Sequence, residues 1–210
     1  MGNIVQICNE ALTLTGANLI HSIDEGTVEA NYCLEFYNPA RREVLSDWNW
    51  RFARKRVVLT RLDKEPVFEY KYAYSLPVDY LRFSYFYDNY RKREVTDIPF
   101  VIEGNIVLCN SDYFNMCYVA DIEDASLFPP LVCTAISYKL AKTLALMLTT
   151  GGDARARAME EMYVYSRAKA VVQDSQGCIP QKQDIDSWQK ARLGTIYDGT
   201  PRDDNRKVGV

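Results

Sequence analysis

Trp48-Asn49-Trp50-Arg51-Phe52-Ala53-Arg54-Lys55-Arg56-Val57-Val58-Leu59 is the stretch where the apolar pattern of this 210-residue chain changes period. Upstream of it, Ala30, Cys33, Leu34, Tyr37, Val44, Leu45 and Trp48 form one long stripe at helical spacing. Thr27, whose hydroxyl suits an N-cap, stands in front of that stripe. Downstream, Val57 and Leu59 open an alternation of two that continues through Phe68, Tyr70, Tyr72 and Tyr74, then Phe83, Tyr85 and Tyr87. A helix hands over to strands here, and the chain is expected to be α+β.

Working outward, Ile4, Ile7, Cys8, Ala11 and Leu14 mark a first helix between a capping Asn3 and a terminating Gly16. Pro39 lies inside the second stripe and removes one backbone hydrogen bond, so a bend or break is expected there. Most of the 15 Tyr and 8 Phe fall between residues 55 and 122, punctuated by turn residues at 63–66, Asp88-Asn89 and Gly104-Asn105. Val101 to Leu108 reads as a hairpin around Gly104-Asn105. Pro129-Pro130 opens a third helix, apolar on almost every face from Leu131 to Leu148, which calls for a central position. Gly151-Gly152 ends it, Asp153 is the expected cap of a fourth helix, and Ala154, Ala158, Met162, Tyr165 and Ala168 are its expected inner stripe, to about Gln173. Helices two and four are expected to flank helix three. The layout is a four-helix bundle core (1–54 and 128–173), an inserted small antiparallel β-sheet subdomain (55–127) and an extended C-terminal arm (174–210).

Composition narrows the function. A net charge of −3 and a pI near 5.3 give the whole molecule no electrostatic pull toward nucleic acid or an anionic membrane. No stretch is expected to reach the length of a membrane span. Cys8, Cys33, Cys109, Cys117, Cys133 and Cys178 lack close pairing, so they read as buried thiols in a reducing cytoplasm. The single histidine, His21, sits in a polar turn with no nucleophile near it in sequence. The carboxylates occur as adjacent pairs such as Asp24-Glu25 and Glu160-Glu161, a solvated pattern. No phosphate loop, nucleophile elbow or metal spacing occurs, so neither catalytic residues, metal nor cofactor is expected.

Two basic clusters stand out: Arg51, Arg54, Lys55, Arg56 and Arg61, and then Arg91, Lys92 and Arg93 in an expected loop. With Trp48, Trp50, Phe52, Tyr87 and Tyr90 interleaved, they admit a polyanion surface; they equally admit arginines paired with acids and aromatics packed in a core. The tail carries sparse large anchors, among them Ile185, Trp188, Leu193, Ile196 and Tyr197, in a polar chain. Such anchors suit a segment that orders on a partner.

Several of these pieces, in order, resemble the tail tubular protein A family, the head-to-tail adaptors of short-tailed phages. Thr15-Gly16 with Ile20, and Asp24-Glu25-Gly26, resemble its opening. Tyr37 to Arg41, Leu45, and Trp48 through Arg56 with Leu59 look like its helix ending in a Trp-x-Phe-Ala motif before the first strand, the most specific part of the likeness. Tyr72 to Arg82 is similar to its Tyr-x-Leu-Pro-x-Asp-x-Leu-Arg strand and turn, with Leu76-Pro77 ending the strand. Phe128-Pro129, Leu140-Ala141 and Leu144-Ala145 fit its closing helices. The likeness spans residues 3–173.

The resemblance implies a structural virion protein, assembled in the host cytoplasm and placed at the head–tail interface of the virion tail. It implies a homo-oligomeric, dodecameric ring under the portal protein, carrying a nozzle of the tail tubular protein B type, with tail fibres as further neighbours. Genomic DNA would pass through its channel in transient, non-specific contact, with Arg54, Arg56, Arg91, Lys92 and Arg93 as candidate lumen or partner residues. The tail, through Ile185, Trp188, Arg192, Leu193, Ile196 and Tyr197, would be the portal-binding arm. Another virion connector, such as a head-completion or minor tail subunit, and a DNA-binding regulator are the alternatives.

Overall fold

The computed structural model describes residues 3–88, 93–95 and 98–177, with 93–95 described by strand pairing alone. Helix α1 (Ile4–Thr15) starts where the Asn3 carbonyl side chain accepts from the Val5 N–H at 3.3 Å. It stops at Gly16, whose φ of 76° lets the Ala17 N–H return to the Leu12 carbonyl at 3.1 Å. Helix α2 (Val28–Ser46) starts at Thr27, whose hydroxyl accepts from the Ala30 N–H at 3.3 Å. Of the bend or break expected at Pro39 the break does not occur: α2 runs through Pro39, which lies on its exposed side. There the missing N–H costs one hydrogen bond while the ring meets solvent rather than a neighbour. The buried stripe is Ala30, Cys33, Tyr37, Ala40, Arg41, Val44 and Leu45. Leu34 and Trp48, expected within it, are exposed, and Trp48 lies past the helix end at Asp47.

A 3-10 turn at Arg51–Ala53 leads into β1 (Arg54–Val58). The strands β2 (Tyr72–Ser75), β3 (Tyr80–Asp88), β4 (Arg93–Val95), β5 (Phe100–Glu103), β6 (Ile106–Cys109) and β7 (Asn115–Ala120) follow. They form two antiparallel sheets, ordered β1-β7-β3-β4 and β2-β6-β5, where one sheet was expected. Residues of both sheets share one cluster, built on Tyr74, Phe86, Val107, Phe114 and Met116. The hairpin at Gly104-Asn105 forms as expected, with Glu103 opposite Ile106 and Gly104 at φ 59°.

Two strand expectations fail for local reasons. The alternation through Phe68 and Tyr70 is not a strand: Glu69 takes a left-handed φ of 68°, which ends extended backbone, and Phe68 is 73% exposed. In β3 the pairing with β7 shifts register between Tyr80 and Arg82 and again between Phe83 and Tyr85. Tyr80, Phe83 and Phe86 therefore join the cluster between the sheets, whereas Tyr85 takes the opposite face. Arg93, expected in a loop, opens β4 opposite Asp88.

Helix α3 (Pro130–Leu148) has proline at its first position and packs against α1, α2 and α4 (Asp153–Gln176). It is long and apolar enough to cross a membrane by length and composition, which the sequence reading had not expected. Lys139 at its middle, only 9% exposed, meets Glu43 at 2.6 Å, and Val132, Ala135, Ile136, Leu140 and Leu144 are buried, while Leu146 and Met147 are about half exposed. The helical cluster gathers Ile7, Leu12, Val44, Leu45, Trp50 and Leu140.

Helix α4 departs most from expectation. Asp153 is its first helical residue and not its cap; Gly152 precedes it, where a Cβ would stand 2.0 Å from the Ala145 carbonyl oxygen. Its inner face is Ala156, Tyr163, Ser166 and Ala170. The expected stripe of Ala154, Ala158, Met162, Tyr165 and Ala168 faces outward, with Tyr165 56% exposed. Alanines on several sides of α4 leave no dominant apolar face. Tyr163 decides the rotation: its hydroxyl bonds the Asp47 carboxylate and the Lys139 ammonium lies 4.7 Å from its ring centre.

Candidate functional site

The helix-to-strand corner joins α2, β1 and the start of α3. Trp50 is fully buried and donates its indole N–H to the Val44 carbonyl at 2.8 Å, which turns the chain back across the end of α2. Phe52 follows with ring centres 6.1 Å from Trp50 and 5.9 Å from Phe128, tying the corner to the start of α3. The Arg51 N–H donates to the Asp174 carboxylate at 3.1 Å, so the end of α4 closes on the same corner. Between them lies a cleft of about 360 Å³, walled by Trp50, Phe52, Pro129, Val132 and Ala170 and rimmed by Arg51 and Asp174. Trp48 stays at the surface. Leu76 is buried just past β2, its N–H donating to the Asn105 carbonyl at 3.0 Å, and Pro77 begins the turn to β3, where the Tyr80 N–H returns to the Pro77 carbonyl.

The first basic cluster is divided by the pleat of β1. Arg54 and Arg56 share one face; Lys55 points to the other and meets the Asp79 carboxylate at 2.6 Å. Asp79 also accepts from the Tyr118 hydroxyl at 2.8 Å. Burial opposes its charge, but the hydrogen bonds from Lys55 and Tyr118 prevail and hold its carboxyl below the usual range. Arg54 and Arg82 flank Val119 from either side of β7, and Arg56 and Tyr85 flank Cys117, with the Arg56 guanidinium donating to the Tyr85 hydroxyl at 3.2 Å. Arg82, absent from the cluster as read from the sequence, donates to the Ser46 carbonyl at 2.8 Å. Register across β7 brings it there, and no spacing along the chain signals it. Arg61 leaves the group to stack 4.1 Å over Tyr72.

Two charge assemblies hold elements together. Arg41, 1% exposed, and Arg42 both reach the Asp121 carboxylate at 2.6 Å, and Arg41 also donates to the Ile122 carbonyl, which ties α2 to the chain leaving β7. Between α2, α3 and α4, Lys139 meets Glu43, and Lys142 meets Glu160 at 2.9 Å. The Lys142 hydrogen bond is the main reason the Glu160 carboxyl lies below its ordinary range.

His21 is exposed, and its backbone N–H donates to Glu25 at 2.8 Å. Cys8, Cys33, Cys109 and Cys117 are buried free thiols and Cys133 is half-buried. Among the described residues no group of three His, Cys, Asp or Glu side chains could hold a metal ion. Arg91, Lys92 and the arm residues Ile185, Trp188, Arg192, Leu193, Ile196 and Tyr197 lie outside the described residues, as does Cys178. Sequence reasoning missed the outward stripe of α4 because it assigned those positions to the core. No protein-family model and no curated protein sequence matches the chain.

Proposed function

We propose that this chain is a structural virion subunit, a head-to-tail adaptor that forms a ring between the portal protein and the tail nozzle of a short-tailed phage. In this reading its four helices are the bundle core, the two sheets are an insertion facing a neighbouring component, and residues beyond Gly177 are the arm that reaches the portal. The observation that carries the reading is the corner at Trp50 and Phe52. It joins the end of α2 to β1 within the stretch that carries the most specific part of the resemblance, and Leu76-Pro77, in another part of it, joins β2 to β3. In this reading the protein acts by contact, and the buried carboxylate of Asp121 holds α2 against the chain after β7. Arg54, Arg56 and Arg82 on one sheet face give the ring a cationic strip for sequence-blind contact with passing DNA.

The test is the mass of the purified chain alone and mixed with the portal protein of its phage, for the full chain and for one ending at Gly177. The expected result is a ring on the portal with the full chain and none with the shortened one. If neither form joins the portal, and the chain binds duplex DNA with an affinity that falls steeply with salt, the regulator reading replaces this one.

A further inference from the structure

The outward face of α4 repeats at a regular spacing. Ala154, Ala158, Glu161, Tyr165, Ala168 and Val172 alternate steps of four and three, and all six are exposed. The core positions Ala156, Tyr163 and Ala170 lie on the opposite side of the helix, seven residues apart. A stripe at this spacing suits a second helix crossing at a shallow angle, and its small residues let that helix come close. Met162 and Val164, about half exposed, widen the apolar surface on either side.

The outward face of α2 has the same spacing. Val28, Tyr32, Glu35, Pro39, Arg42 and Ser46 lie opposite its core positions Ala30, Tyr37 and Val44; Tyr32 and Ser46 are half-buried and the other four exposed, and the Tyr32 ring stacks on Phe36. We infer that α4 of one copy packs antiparallel against α2 of the next, resting on the ring reading above. Laid antiparallel, Val172 meets Val28, and the Tyr32 ring lies over the small Ala168. Glu35 then falls beside Tyr165 and Lys169, and Arg42 beside Glu161. Among the described residues Glu35 and Glu161 have no ion pair within their own chain, and the Arg42 side chain is 60% exposed beyond its bond to Asp121. The parallel arrangement would bring Arg42 next to Lys169 and forfeit both pairs.

Self-pairing of α4 is disfavoured by the same charges. Two antiparallel copies of α4 would set Arg155 against Lys169 at both ends, with no acid flanking the stripe there. The contact is therefore between two different faces of the protomer, and such a contact closes into a ring where its rotation closes and otherwise runs on as a filament.

The experiment measures the mass of the full chain across a concentration series, alone and on the portal, for the parent and for Ala168→Glu, Glu35→Lys, Lys169→Glu and the double variant Glu35→Lys/Lys169→Glu. All substituted positions are exposed, and unchanged helical circular dichroism and melting confirm each fold. Ala168→Glu and Glu35→Lys should each lose at least tenfold in self-association, the double variant should recover toward the parent, and an equimolar mixture of Ala168→Glu with Glu35→Lys should stop at dimers. Rings that form unchanged in both Ala168→Glu and Glu35→Lys overturn this interface and leave the ring reading standing. A parent that stays monomeric both alone and on the portal removes the ring reading and this inference together.

Discussion

Arg41 shows how much a single buried charge depends on its partner. Its guanidinium is almost fully enclosed, and Asp121, itself nearly covered, is the carboxylate that neutralises it. Asp121→Asn would leave that cation uncompensated in the interior and is expected to cost about 3–5 kcal/mol, read as a fall in the urea midpoint. Tyr37 is the opposite case. Its hydroxyl is buried without a hydrogen-bond partner among the described residues, and burial pushes its pKa up to about 12. Tyr37→Phe removes an oxygen that lost its water and gained nothing, so it should raise stability by about 1 kcal/mol. A measured loss of that size would show that the hydroxyl has a partner after all.

The junction of α3 and α4 is set by what fits against the last turn of α3. A side chain at Gly152 would run into the Ala145 carbonyl, so Gly152→Ala is expected to cost about 1–3 kcal/mol by forcing the two helices apart. Gly151→Ala tests a different term: its φ of 71° is strained for alanine, but nothing lies within 4 Å of the added carbon. Gly151→Ala should cost about 1–2 kcal/mol from backbone strain alone, less than Gly152→Ala, and thermal melts of the two variants would rank them. A reversed ranking would mean that backbone conformation, not the close approach, governs this junction.

For the molecule as a whole, acid is the expected weakness. The carboxyls of Asp79 and Glu160 both lie below their ordinary values in the fold, held by lysines. A depressed folded pKa means that the stabilisation is intact above the unfolded value near 4 and is lost as pH falls through the folded value. The melting temperature should therefore decline below about pH 4, and Asp79→Asn should flatten that decline. An unchanged slope in Asp79→Asn would remove Asp79 from the account. Added salt should weaken the Lys55–Asp79 pair more than the Arg41–Asp121 pair, because the first is partly solvated and the second is buried.

Local chemistry along the chain was enough to determine the helix starts at Asn3 and Thr27, the stop at Gly16, the hairpin at Gly104 and the opening of α3 at Pro130. Each rests on one residue's backbone restriction or on a cap reaching two or three positions, and no distant partner is needed. The corner at Trp50 was legible for the same reason, since the period of the apolar residues changes there. Only the tertiary structure decided which face of α4 turns inward, that Phe83 and Tyr85 part company, and that Arg54, Arg56 and Arg82 share a face while Lys55 does not. Those outcomes depend on Asp47 and Lys139 meeting Tyr163, and on register shifts against β7, contacts between residues tens of positions apart. A weakly amphipathic helix and a bulged strand carry no local signal strong enough to override such contacts, so their faces are fixed by the partners they meet.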